Sequence, residues 1–108
     1  MMDYSFCDIV LIKFPYTNFS VISKRPALVI YDSRDSDIVV ARITSQHYAT
    51  KSDYRIVNWK DSGLLNESYA RLGKIATIEK ANIARLLGSL PDAETKDIKV
   101  MLRAMFGL

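Results

Sequence analysis

Ser23-Lys24-Arg25-Pro26-Ala27-Leu28-Val29-Ile30-Tyr31-Asp32 is the stretch on which the fold turns. Residues 27–31 are apolar without a break and include β-branched Val29 and Ile30, the pattern of a strand covered on both faces. Pro26 has no N–H for a sheet ladder, which predicts that it opens the strand. It also pushes Arg25 out of the helical region into extended backbone. Arg25 thus reads as a guanidinium on a restricted backbone, at a strand mouth and just outside a core.

Working outward, residues 8–14 form a first apolar strand, stopped by Pro15. A ten-residue polar loop over 16–25 then leads to Pro26, long for a hairpin and of a length that often carries binding. Asp32-Ser33-Arg34-Asp35-Ser36-Asp37 is a strong turn signal, and residues 38–44 return as a third strand, making a hairpin. After a second polar loop over 45–53, residues 54–57 read as a short fourth strand. Trp59 follows in a turn, where its indole can plug one end of the fold. Residues 68–78 alternate, with Ala70, Leu72, Lys74, Ala76 and Ile78 on one side. Residues 83–90 fit both strand and helix periods. Pro91-Asp92 opens a C-terminal helix with Asp92 as candidate N-cap, Glu94 in the first turn and a stripe of Ile98, Met101, Leu102 and Met105. Short strands closed by one helix predict a mainly β protein, a small antiparallel barrel with a C-terminal helix.

At 108 residues the chain is expected to form one domain over 1–108. No apolar run reaches a membrane span and no signal-peptide layout is visible, so a cytoplasmic location is expected, with no membrane partner. Cys7 is the only cysteine, which excludes an intramolecular disulfide and gives no zinc spacing. The net charge of +3 permits a polyanionic partner without demanding one. Scattered glycines make no phosphate loop, and a lone His47 makes no metal site, so no cofactor and no metal are expected.

Polar groups worth chemistry stand at Arg25, at Thr44-Ser45 and at Arg71. If the hairpin is antiparallel, Arg25 and Thr44 are neighbours at one rim. A guanidinium beside a hydroxyl suits a phosphate. The competing reading makes Arg25 a solvated charge and Thr44 a turn cap.

Cys7-Asp8-Ile9-Val10, Phe14-Pro15, Lys24-Arg25-Pro26-Ala27-Leu28-Val29, Ile43-Thr44-Ser45, Trp59-Lys60 with Gly63-Leu64, Ala70-Arg71, Lys74-Ile75-Ala76-Thr77-Ile78 and Leu87-Gly88-Ser89-Leu90 occur in an order that resembles the PemK/MazF toxins. The resemblance runs over about residues 7–106. It implies an SH3-like barrel and favours a strand near residues 84–90. It further implies a homodimer and a metal-independent endoribonuclease that cuts single-stranded mRNA at short sequences. Attack by the ribose 2′-OH would leave a 2′,3′-cyclic phosphate, and a cognate antitoxin would hold the protein inactive. Arg25 matches the family's catalytic arginine, Thr44 its active-site threonine and Arg71 a later catalytic arginine, with Lys24, Ser45 and His47 assigned to RNA contact.

The chain also departs from that pattern. Gly73 stands where some members have an aspartate, and Cys7 where a glycine is usual. The long loop lacks a histidine that some members carry. The general base is therefore open, with His47 as a candidate, since a free imidazole titrates near neutrality. Two non-catalytic alternatives follow: a gyrase-poisoning toxin on the same barrel, and an RNA-binding member that does not cut.

Overall fold

The structure is a computed structural model and describes residues 2–15 and 22–108. Most of the expected polar loop before Ile22, with Thr17, Asn18, Phe19 and Ser20, lies outside the described residues. The elements are β1 (Asp8–Pro15), β2 (Ile22–Asp32), β3 (Asp37–Thr44), β4 (Asp53–Ile56), β5 (Ser68–Glu79), β6 (Ile83–Ser89) and helix α1 (Asp92–Phe106), with a 3-10 turn at Lys80–Asn82 between β5 and β6. All the strands belong to one sheet in the order β4-β5-β3-β2-β1-β6, and every pairing is antiparallel. The mainly β architecture with a C-terminal helix is as expected. Residues 83–89, ambiguous by period, form a strand. No helix among the described residues is long and apolar enough to cross a membrane.

The outer strands β4 and β6 do not pair, so the sheet curls without closing its ladder into a complete barrel. The seam is made instead by close backbone packing. A Cβ on Gly63, whose φ is +92°, would stand 2.2 Å from the carbonyl oxygen of Leu87, and one on Gly88 would stand 2.3 Å from that of Ser62. Only glycine fits such an approach.

Period-two alternation sends neighbouring residues to opposite faces, and both faces of the central strands are covered. Ile9, Leu28, Ala41, Leu72 and Ile98 pack in one cluster, with Met101 and Leu102 of α1 against it. Val10, Ile12, Ala27, Val29, Ile38 and Val40 form the other. Leu28 and Val29, adjacent in the chain, are each 0% exposed. That is the double coverage read from the unbroken apolar run.

Three local expectations need correction. Pro26 does not open β2: the strand starts at Ile22, and Pro26 pairs with Leu11 within it. The β3 ladder begins only at Ala27, so Pro26 sits where β2 has β1 alone as ladder partner and a missing N–H is tolerated. Arg25 is accordingly inside a strand, opposite Ile12. Second, the alternation of residues 68–78 breaks at an irregularity. Ala41 pairs with Ile75 while Arg42 pairs with Arg71, so Ala70 and Leu72 join one cluster and Ile78 the other. Third, the N-cap of α1 is Pro91, without a side-chain cap, and Asp92 is the first helical residue.

Glu94 does more than favour the helix dipole. It is 3% exposed and accepts hydrogen bonds from the N–H of Val57 (2.7 Å), the N–H and Nδ2 of Asn58 (3.1 and 3.2 Å) and the hydroxyl of Tyr54 (2.9 Å). Burial and then Glu94 itself drive the Tyr54 hydroxyl well above its ordinary pKa. These bonds tie α1 to the end of β4. At the far end of the hairpin, Lys80 Nζ meets Asp32 Oδ1 at 2.8 Å, and both side chains are nearly inaccessible. Asp32 also accepts from the N–H groups of Tyr4 and Arg34, each at 2.8 Å.

Candidate functional site

The pairing of Ala27 with Arg42 fixes the hairpin register. Carried two residues past that last pair, the same register would bring Arg25 opposite Thr44, since antiparallel partners step in opposite directions. Both residues line one cleft of about 1150 Å³, together with Lys24 and Ser45. Ala27, Val40 and Ile78 of the second apolar cluster form part of its wall. Thr44 Oγ1 accepts the N–H of Gln46 at 3.2 Å, so it does cap the turn after β3. A hydroxyl that accepts through a lone pair still has its hydrogen to donate. The turn-cap role and a ligand role are therefore compatible.

The charge of this cleft is one-sided. Lys24, Arg25, Arg42, Lys74 and Arg85 line it, and among the described residues no aspartate or glutamate does. A chain whose overall excess is only +3 has gathered a third of its fifteen basic side chains around one concavity. Clefts of one sign concentrate ligands of the other.

Arg71 and His47 lie beside the cleft rather than among its lining residues. Arg71 is opposite Arg42 in the ladder and Tyr69 is opposite Thr44, so these side chains leave the same face of the sheet. The Nε of Arg71 donates to Asp53 Oδ1 at 3.0 Å, and its guanidinium carbon lies 3.6 Å from the centre of the Tyr48 ring. Burial acts to raise the Asp53 pKa, but hydrogen bonds from Thr50 and Arg71 outweigh it and hold the carboxyl below its ordinary value. His47 Nδ1 is hydrogen-bonded to the Tyr69 hydroxyl at 2.9 Å, with the rings edge-on at 5.1 Å.

Gly73 has a physical neighbour in this chain. A Cβ there would stand 2.8 Å from Ser52 Oγ, and the N–H of Leu72 donates to the Ser52 carbonyl at 2.8 Å. The hydroxyl of Ser52, in the segment leading into β4, stands where a side chain at position 73 would begin, and it would have to turn aside for one. Cys7 is buried at 1% exposure with φ 69°, and burial pushes its thiol up to about 11. It is a small core residue in a backbone region that glycine favours.

Sequence reasoning missed Arg42 and Asp53. Arg42 was legible, because residues two apart on a strand share a face and Arg42 precedes Thr44 by two. Asp53 carries no such signal: it reads as one more turn residue, and only the pairing of β4 with β5 brings it to Arg71.

Comparison with known proteins adds the following. Residues 6–106 match a family model described as PemK-like, MazF-like toxin of type II toxin–antitoxin systems. No curated protein matches the sequence. Among solved structures, the chain is similar to an endoribonuclease in complex with its cognate antitoxin from a mycobacterial species, at TM-score 0.77 and 18% identity, covering 98% of this chain and 97% of that one. It is also similar to the Mycobacterium tuberculosis toxin MazF-mt6, at TM-score 0.76 and 17% identity, over 94% and 97% of the two chains. A MazE–MazF structure from Deinococcus radiodurans matches at TM-score 0.76 and 15% identity, over 98% and 99%. At such identities these three likenesses speak to the fold alone.

Proposed function

The chain belongs to the PemK-like, MazF-like toxins of type II toxin–antitoxin systems, and from that membership we propose that it is a sequence-specific, metal-independent endoribonuclease. Its substrate is single-stranded mRNA in the cytoplasm, and its working form is a homodimer. The observation that carries the reading is the cleft lined by both Arg25 and Thr44, whose charged lining residues, among those described, are all basic.

The reaction assigns a task to each group. The 2′-oxygen gives its proton to a base and bonds to phosphorus as the bond to the 5′-oxygen breaks. The departing 5′-oxygen takes a proton from the protonated base or from water, giving a 2′,3′-cyclic phosphate and a 5′-OH. Between the two lies a crowded phosphorane with extra negative charge. Arg25 offers a fork of N–H donors to that charge, and the Thr44 hydroxyl adds another donor. Lys24 and Ser45 hold the flanking backbone. His47 is the candidate acceptor of the 2′-OH proton: in the tautomer whose Nδ1–H donates to the Tyr69 oxygen, Nε2 is the acceptor for the transfer. Arg71 supplies a second guanidinium beside Thr44.

A cognate antitoxin would neutralise the protein by laying an acidic extended segment along the cleft. The uniform sign of the lining charges supports that mode. Solved relatives include complexes with antitoxins.

The test is cleavage of single-stranded RNA by the purified protein in EDTA, with the new ends mapped chemically. The reading requires fragments ending in 2′,3′-cyclic phosphate and beginning with 5′-OH. A second reading, RNA binding without cutting, has its own support in Gly73, where no side chain is present and the Ser52 hydroxyl stands close by. Salt-sensitive binding with no cyclic-phosphate product would select it.

A further inference from the structure

We infer that Asp53 and Tyr48 are positioning residues that hold Arg71 for an incoming phosphate, a carboxylate on β4 doing from across the sheet what position 73 of β5 does not. The inference rests on the cleft being an RNA site. Three observations carry it. Arg71 keeps only 15% of its side chain exposed and Asp53 only 1%, so their 3.0 Å contact is a largely enclosed pair. Asp53 is itself held from the other side, by the Thr50 hydroxyl at 2.6 Å and the Thr50 N–H at 3.1 Å. Tyr48 covers the guanidinium face at 3.6 Å.

The geometry leaves a usable remainder. Asp53 takes the Nε–H and Tyr48 takes one π face, which together fix the plane of the guanidinium. The paired N–H groups of Nη1 and Nη2 form the edge that grips a phosphate in bidentate fashion. That edge belongs to a residue directly opposite Arg42, which lines the cleft. Like charges placed opposite each other on a sheet cost stability. Asp53 offsets one of the two, and a bound phosphate would offset the other.

The experiment compares wild type, Asp53→Asn, Tyr48→Ala, Arg71→Ala and the two double variants containing Arg71→Ala. Two readouts are taken: cleavage of an RNA oligonucleotide, and binding of its uncleavable 2′-O-methyl counterpart. Asp53→Asn should lower kcat by about tenfold with KM changed less than about twofold, the signature of lost alignment rather than lost binding. Tyr48→Ala, in a solvent-facing segment, should lower kcat by roughly threefold. Neither change should lower it further once Arg71 is alanine. Losses that add in the double variants, or a folded Asp53→Asn or Tyr48→Ala protein with full kcat, would overturn the inference. If wild type cuts nothing, the nuclease reading fails by itself and the binding arm decides here. Arg71→Ala should then reduce the salt slope by about 0.7, and Asp53→Asn should weaken binding by no more than about twofold and only while Arg71 is present. Binding that ignores Arg71 refutes the proposal.

Discussion

The two ends of the β2–β3 hairpin handle charge in opposite ways. At the turn end, Lys80 is met by Asp32 at 2.8 Å and by Asp3 at 3.6 Å, and Asp32 takes two further backbone N–H groups. Burial there acts to raise the Asp32 pKa, yet the bond from Lys80 and those from the backbone prevail and hold it at about 2. At the open end, Arg25, Arg42 and Thr44 face a cleft whose described lining has basic residues and no acidic ones. The same two strands thus carry a matched charge cluster and a one-signed one. A matched cluster is satisfied within the fold and serves to pin the 3-10 turn against β2. A lining whose charges share one sign concentrates anions from outside the chain, and that is where chemistry belongs.

Four measurements can break or sharpen this contrast. The largest effect is expected at the open end: Arg25→Ala should reduce RNA cleavage by at least about a hundredfold while thermal unfolding stays near wild type. An equal loss of both would make Arg25 structural. At the turn end the pattern should invert. Lys80→Met leaves Asp32 buried without its cation, so melting should fall by roughly 10 °C, with cleavage per folded molecule preserved. Acid titration separates the two ends further. Asp32 is held at about 2 against an ordinary 3.8, so its contribution is full above 3.8 and is lost as pH falls through 2. Stability followed from pH 5 to pH 2 should therefore decline in wild type, and Asp32→Asn, already weakened, should lose the part of that decline belonging to this carboxylate. Smallest is Arg42→Ala, which should not lower stability, since it removes a like charge opposite Arg71, and should cut the slope of log affinity against log salt by about 0.7 on single-stranded RNA. An unchanged slope would remove Arg42 from the phosphate path.

Much of this was legible before any coordinates. The turn chemistry of residues 32–37 predicted the hairpin that forms, and Arg25 and Thr44, expected as neighbours at its open end, both line the cleft. What stayed hidden depends on register and burial. The irregularity between Ala41 and Arg42 shifts β5 by several residues against β3, and no periodicity announces it. Glu94 looks like any first-turn acid, although its four acceptor contacts tie the helix to residues 54–58. Asp53 looks like a turn residue because its partner lies eighteen positions away. Local pattern reports which face a side chain takes; it does not report which distant side chain waits there.

The glycines at the seam set the gauge of the molecule. Gly63 and Gly88 let two backbones touch where no ladder joins them, and Gly63, Leu64 and Leu65 belong to the cleft wall. A methyl group added at Gly88, which is not one of the residues lining the cleft, would act as a wedge, spreading the jaws of the groove from behind.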